Sequence, residues 1–255
     1  MKRILGAREH DGKGTPAGVP ATWPRTPIRM AARGLIFAAA EVLYDDSMWL
    51  RWLHGQLRRE NGGKTFQELK QTWNQVSRDF FAGKSEFRLA LEFLFDSLDV
   101  SIRLRAELAM AAHSRRTRLA AEARPFVGVA TAFRQLADQG YRLAILANSE
   151  CTGAQFRRHL QMHGLTQCHA IATSCDLGIA KPDARAYLNA AALLGMPLED
   201  LVYVAADEDD ISGAQDVGLR TISCSAEDTG HYVQVSSCCE VGKHVSLRSP
   251  LANTG

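Results

Sequence analysis

The side chains that could do chemistry in this sequence fall in a few places. Two adjacent carboxylates, Asp45 and Asp46, follow an apolar run. Asn148 closes the string Leu143-Ala144-Ile145-Leu146-Ala147. A lysine stands in Lys181-Pro182-Asp183, and an acidic run, Asp207-Glu208-Asp209-Asp210, follows Leu201–Ala206. A carboxylate can attack an electrophile to form a covalent intermediate. It can pass protons as general acid or base, worth about 10²–10⁴-fold. It can also hold Mg²⁺ beside water and a substrate phosphate. Cys151, His159 and His163 are weaker candidates. No Cys/His/Asn arrangement follows from their spacing, and two histidines one helical turn apart are ordinary on a helix surface.

Most of these groups lie at or just past apolar runs. Leu35, Ile36 and Phe37 read as a buried parallel strand. Further strands are expected at Arg142–Ala147, His169–Ser174, Leu201–Ala206, Arg220–Cys224 and, short and last, Tyr232–Val235. Helices fall between them at Val129–Gln139, Gln155–His163, Pro182–Leu194 and Ile211–Val217. Each is ended by a glycine: Gly140, Gly164, Gly195 and Gly218. This alternation predicts an α/β fold, a doubly wound Rossmann-like parallel sheet with helices on both faces. Ligands in such sheets sit beyond the carboxyl ends of the strands. Those ends are Ala38–Ala40, Ala147–Asn148, Ser174–Lys181 and Ala206–Asp210.

Residues 47–123 break the alternation. Trp49, Leu50, Leu53 and Leu57 recur at helical spacing, and Gly62-Gly63 interrupts. Thr65 and Glu68 form a capping-box pattern ahead of a helix carrying Phe66, Leu69, Trp73, Val76 and Phe80. Two more helices start at Ser85 and Ser101. The reading is a four-helix insertion, all-helical, between core segments 31–46 and 124–247. Its aromatic residues are expected in its own core, and Arg115, Arg116 and Arg118 on a solvated face. Residues 1–30, with four of the eight prolines, read as a disordered extension, and 248–255 as a flexible tail.

Composition narrows the classes. A net charge of +2 argues against nucleic acid as partner. No apolar run approaches the roughly 18–20 residues that cross a bilayer, and no apolar segment follows Lys2 and Arg3 to make a signal peptide. Six scattered cysteines, with no Cys-x-x-Cys pair, suggest free thiols and a cytoplasmic protein.

The four strand ends, in order, resemble the motifs of the haloacid dehalogenase superfamily of aspartate-nucleophile hydrolases, over about residues 33–245. Its first motif is an apolar strand and Asp-x-Asp-Gly-Thr/Val-Leu-x-Asp. Aligned on Val42, Leu43 and Asp45, it puts Ala38 at the nucleophile, Ala40 at the acid/base and Glu41 at the glycine. The second motif keeps Asn148 but has Ala147 for the hydroxyl. The third is intact in Lys181-Pro182-Asp183. The fourth has Ala206 for its first Asp, while Asp210 fits the second.

The resemblance implies a helical cap for residues 47–123 and a disabled active site. Alanine has no lone pair, proton or charge, so no nucleophile, acid/base or full Mg²⁺ ligand set remains, and no cofactor is expected. The dehalogenase branch needs the same nucleophile and is excluded with it. Four losses in register are hard to attribute to a misplaced alignment. Lys181 and Asn148 would survive as an anion-binding remnant; alternatively Lys181 pairs with Asp210 or Asp209. The expected function is non-catalytic: binding a small anionic ligand, or regulating or scaffolding a partner protein. The competing reading is a Mg²⁺-dependent phosphatase or hydrolase that uses shifted carboxylates, with Asp207 as a weak metal ligand.

Overall fold

The computed structural model describes residues 30–58, 64–224 and 233–247. The extension before Met30, Gly62-Gly63, Tyr232 and the tail 248–255 lie outside the described residues.

Short apolar runs become the sheet. Strands β1 (Met30–Ala32) and β2 (Gly34–Ala38) come first among the described residues. β3 (Arg142–Ala147), β4 (Ala170–Thr173), β5 (Leu201–Ala205), β6 (Arg220–Ser223), β7 (Val233–Gln234) and β8 (Val245–Leu247) come after the insertion. Six of them form one sheet in the order β4-β3-β2-β5-β6-β7, parallel throughout. Every residue of β2 and β5 is buried, so both faces of the sheet centre are covered. Gly34 lets the strands meet there: a Cβ at this position would lie 2.7 Å from Leu201 Cδ2 and 2.9 Å from Met196 Sδ.

Amphipathic segments become the covering helices. These are α6 (Val129–Asp138), α7 (Gly153–Met162), the single turn α8 (Ser174–Leu177), α9 (Ala184–Leu194) and α10 (Glu208–Asp216). α9 packs on β3 and β4, α6 on β3, and α10 on β5 and β6. A feature absent from the sequence reading is a two-stranded parallel ribbon, in which β1 pairs with β8 from Met30↔Val245 to Ala32↔Leu247. Met30, assigned to the extension above, is the first residue of that ribbon; its amide donates to His244 O at 2.8 Å.

The insertion holds α1 (Met48–Leu57), α2 (Phe66–Val76), α3 (Arg78–Phe81), α4 (Phe87–Ser97) and α5 (Ile102–Glu122). The expected second helix is thus two, parted at Ser77, whose backbone still accepts from Phe81 N at 2.9 Å. The capping box at Thr65 and Glu68 is present in both directions. Trp49, Trp73, Phe80, Phe87 and Phe95 form a hydrophobic cluster separate from the one around the sheet. Trp49 and Trp73 meet edge to face at 4.9 Å. The arginine run is not a solvated face. Arg115 lies over Trp52 at 5.6 Å, and Arg116 lies over Phe80 and Phe87 at 5.0 and 4.9 Å. Only Arg118 is exposed. Guanidinium planes stack on aromatic faces, which a charge-pattern argument overlooks.

Among the described residues, no helix is long and apolar enough to cross a membrane.

Candidate functional site at the strand ends

Four strand ends and the cap line a cavity of about 320 Å³. Its floor is made by residues after β2, β3 and β5, with Lys181 and Pro182 from the segment after β4. Trp49, Leu50, Trp73 and Phe81 of the cap form its roof, so some cap aromatics serve both the cap cluster and the cavity wall.

At the end of β2, Ala38 and Ala39 are buried and Ala40 is exposed. The chain then turns tightly: Leu43 N donates to Ala39 O and Glu41 N to Tyr44 O, each at 2.9 Å. Glu41 has φ 59°, a left-handed conformation costing a non-glycine residue about 1–2 kcal/mol. This is the position where the resembling motif has glycine. Beyond the turn Asp45 accepts from Ser47 N at 2.9 Å and from Arg51 at 2.6 Å, at the start of α1. Partial burial works against its charge, but these bonds prevail and hold its carboxyl below the usual range.

Asn148, after β3, is spent on the backbone of residue 181. Its Oδ1 accepts from Lys181 N at 2.8 Å and its Nδ2 donates to Lys181 O at 3.1 Å. Next to it Ser174 Oγ accepts from Ser149 N at 2.9 Å and donates to Phe81 O of the cap at 2.6 Å.

Lys181 is 8% exposed, as is Asp210. Its ammonium donates to Asp210 Oδ2 in a short contact and to Tyr203 OH at 3.1 Å. Tyr187 and Tyr203 each donate to Asp210 Oδ1 at 2.8 Å. Burial, reinforced by the Asp210 charge, pushes both phenols well above their ordinary pKa, so they remain donors. Gly213 permits the approach, because a Cβ there would lie 2.8 Å from both Pro182 Cβ and Tyr187 OH. Of the two readings of Lys181, the pairing with Asp210 is the one the structure has, and the asparagine expected beside it as an anion donor is engaged on the backbone.

Asp207 caps α10 by accepting from Asp210 N at 3.3 Å. Its other oxygen faces the cap, where Asn74 donates to it at 3.1 Å and the Lys70 ammonium lies at 3.6 Å. Lys70 also reaches Glu41 Oε2 at 2.5 Å. Burial alone would lower the lysine's pKa; Glu41 and Asp207 more than offset this and leave it raised. On another side of the cavity Arg116 of α5 donates to both oxygens of Glu150, at 3.1 and 3.0 Å.

The donor set does not fit a resident Mg²⁺. Ala38 and Ala206 offer no oxygen from their side chains, and Asp207 and Asp210 already face ammonium groups. Among the described residues, no group of three or more His, Cys, Asp or Glu side chains could hold a metal ion. A hard cation binds through several free oxygens, and here Glu41, Asp207 and Asp210 already face lysine ammonium groups.

Cys151 and the histidine pair form no catalytic arrangement. Cys151 is exposed, and partial burial with Glu150 beside it pushes its thiol pKa up, the wrong direction for a nucleophile. The rings of His159 and His163 lie 5.0 Å apart, and His159 lines the cavity. The sequence reading missed Lys70, Asn74, Ser174, Tyr203 and the use of Arg116. A signal for Lys70 and Asn74 was available: they lie one turn apart beside the apolar Leu69 and Trp73 of α2.

The family model described as haloacid dehalogenase-like hydrolase matches residues 25–218. No curated protein matches the chain. Among solved structures, a 2-haloacid dehalogenase from Pseudomonas syringae pv. Tomato DC3000 aligns at 17% identity with a TM-score of 0.53, covering 83% of this chain and 97% of that one. A putative beta-phosphoglucomutase from Thermotoga maritima aligns at 15% identity and TM-score 0.56, covering 82% and 96%. A HAD-superfamily hydrolase of subfamily IA from Geobacter sulfurreducens aligns at 13% identity and TM-score 0.57, covering 87% and 100%. At these identities the neighbours speak for the fold, and the family match speaks for the sequence: the chain belongs to the haloacid dehalogenase-like hydrolases.

Proposed function

We propose that this protein has lost the covalent chemistry of its family and works as a non-catalytic binding protein, either sensing a small molecule in the cavity or regulating a partner protein. The observation that carries this reading is the end of β2. Ala38 lies on a central strand between β3 and β5, where the family motif calls for a nucleophilic carboxylate, and a methyl group cannot attack. Several surrounding polar groups support it, since they are committed to partners of this chain. Lys181 holds Asp210, Asn148 holds the Lys181 backbone, and Lys70 holds Glu41 and Asp207. Asp207 or Asp210 acting in catalysis would first have to leave those partners.

The test is turnover of p-nitrophenyl phosphate with Mg²⁺, Mn²⁺ and Zn²⁺, and halide release from a 2-chloro acid. The expected result is no turnover above a heat-treated control. Stable turnover abolished by Asp207→Asn would overturn the proposal in favour of a metal-dependent hydrolase with displaced carboxylates.

A further inference from the structure

The poor fit of the crevice to a divalent ion has a counterpart in the cap. Lys70 of α2 crosses from the cap to two carboxylates on different strand ends, Glu41 after β2 and Asp207 after β5. Its side chain is 16% exposed. The contact is not a chance meeting of long surface side chains, for two reasons. Glu41 keeps a left-handed backbone at φ 59°, and the side chain it carries there is the nearer partner of Lys70. Asn74, one turn on from Lys70, donates to the same Asp207 oxygen that faces the ammonium. Two residues on one face of α2 therefore converge on one carboxylate of the core. The Ser174–Phe81 bond fastens the same cap segment a few residues later.

We infer that Lys70 is a tethered counter-cation: carried in by the cap, it neutralises Glu41 and Asp207, holds the cap closed over the crevice, and excludes a free metal ion from the space between those two carboxylates. Closure and cation binding are then alternatives at one place. An ion can enter only when the ammonium leaves, and the ammonium leaves only when α2 lifts. The inference stands apart from the catalytic question, because its readouts are cation affinity and amide exchange, and it would survive a finding of residual turnover.

The test uses the full chain and Tb³⁺ as a probe of hard-cation binding. Luminescence is sensitised through Trp49 and Trp73, which line the cavity. Lys70→Met, which keeps the stem and removes the charge, should bind Tb³⁺ at least about tenfold more tightly than the parent protein, the order expected for removing a cation beside two carboxylates. Excess Mg²⁺ should displace it. Lys70→Arg should behave like the parent, and Lys70→Met with Asp207→Asn should lose the gain. Equal affinity in the parent and a folded Lys70→Met protein would overturn the inference. If Lys70→Met does not fold, Glu41→Gln with Asp207→Asn examines the contact from the other side. Faster hydrogen exchange of the α2 amides in that variant supports the latch, and unchanged exchange refutes it.

Discussion

Two lysines meet carboxylates at this crevice, and their surroundings differ. Lys181 and Asp210 lie on the core side, with side chains 8% and 10% exposed, and two buried tyrosines complete the acceptor capacity of the aspartate. Lys70 and its partners lie where cap meets core, with side chains 16%, 24% and 29% exposed. Burying a charge pair is costly, and it persists only when hydrogen bonds satisfy what the pair leaves open. The inner pair meets that condition within the core and so acts as structure. The outer one joins segments with separate hydrophobic clusters, so its strength depends on how closely the cap sits. The same residue chemistry thus fixes a core in one place and sets a conformational balance in the other.

The sharpest way to break this contrast is to strip the inner pair. Asp210→Ala leaves the Lys181 charge buried and two phenols without their acceptor, and should cost about 3–5 kcal/mol in urea-induced unfolding. A loss near zero would place Lys181 in contact with water and revive its reading as a free anion site. Removing one phenol is a smaller intrusion. Tyr187→Phe deletes one hydrogen bond to a carboxylate and should cost about 1.5–3 kcal/mol by the same measurement. Lys70→Met comes next. Its ion pairs are partly hydrated, so global stability should fall by only about 1 kcal/mol or less, and part of that loss should vanish in 1 M salt, where the Debye length is only about 3 Å. A salt-insensitive loss as large as that of Asp210→Ala would erase the distinction between the two lysines.

The fold was legible in the sequence because its signals are local. Apolar runs of strand length alternate with helical periodicity, and Gly140 and Gly218 follow their helices with φ of 94° and 89°, as helix-ending residues should. Met30–Ala32 was not legible as a strand, since three small or flexible residues gain their meaning only from β8, more than two hundred positions later. Where a motif carries them, at Lys181 and the alanines, the sequence placed residues at strand ends, and they lie there. The site was illegible where the partner comes from the cap. No spacing rule joins Lys70 to Glu41 and Asp207, or Arg116 to Glu150, because these meetings depend on how one packed unit lies on another. The acidic run illustrates the limit. Its sequence suggested a weak metal ligand or else a solvated loop and helix N-terminus; Asp207 does cap α10, but its other oxygen faces Lys70, and Asp210 faces inward.

Glu150 offers the smallest effect and Arg116 the most discriminating test, because the arginine does two things at once. It pairs with Glu150, whose side chain is 45% exposed, and it stacks on Phe80 and Phe87 inside the cap. An ion pair with a partner this open is worth about 0.2–1 kcal/mol. Cation–π contact adds about 0.5–1 kcal/mol or more where it is desolvated, and the stem covers apolar surface besides. Glu150→Gln should therefore change stability by less than about 0.5 kcal/mol, while Arg116→Ala should cost about 1–2 kcal/mol, the stacking and stem terms together. Combining the two in a double-mutant cycle isolates the pair, and the coupling should be the minor share. A coupling equal to the whole Arg116→Ala loss would mean that the arginine serves cap–core contact rather than the cap interior. The Lys70 latch would then have a second electrostatic partner of equal standing on the far side of the cavity.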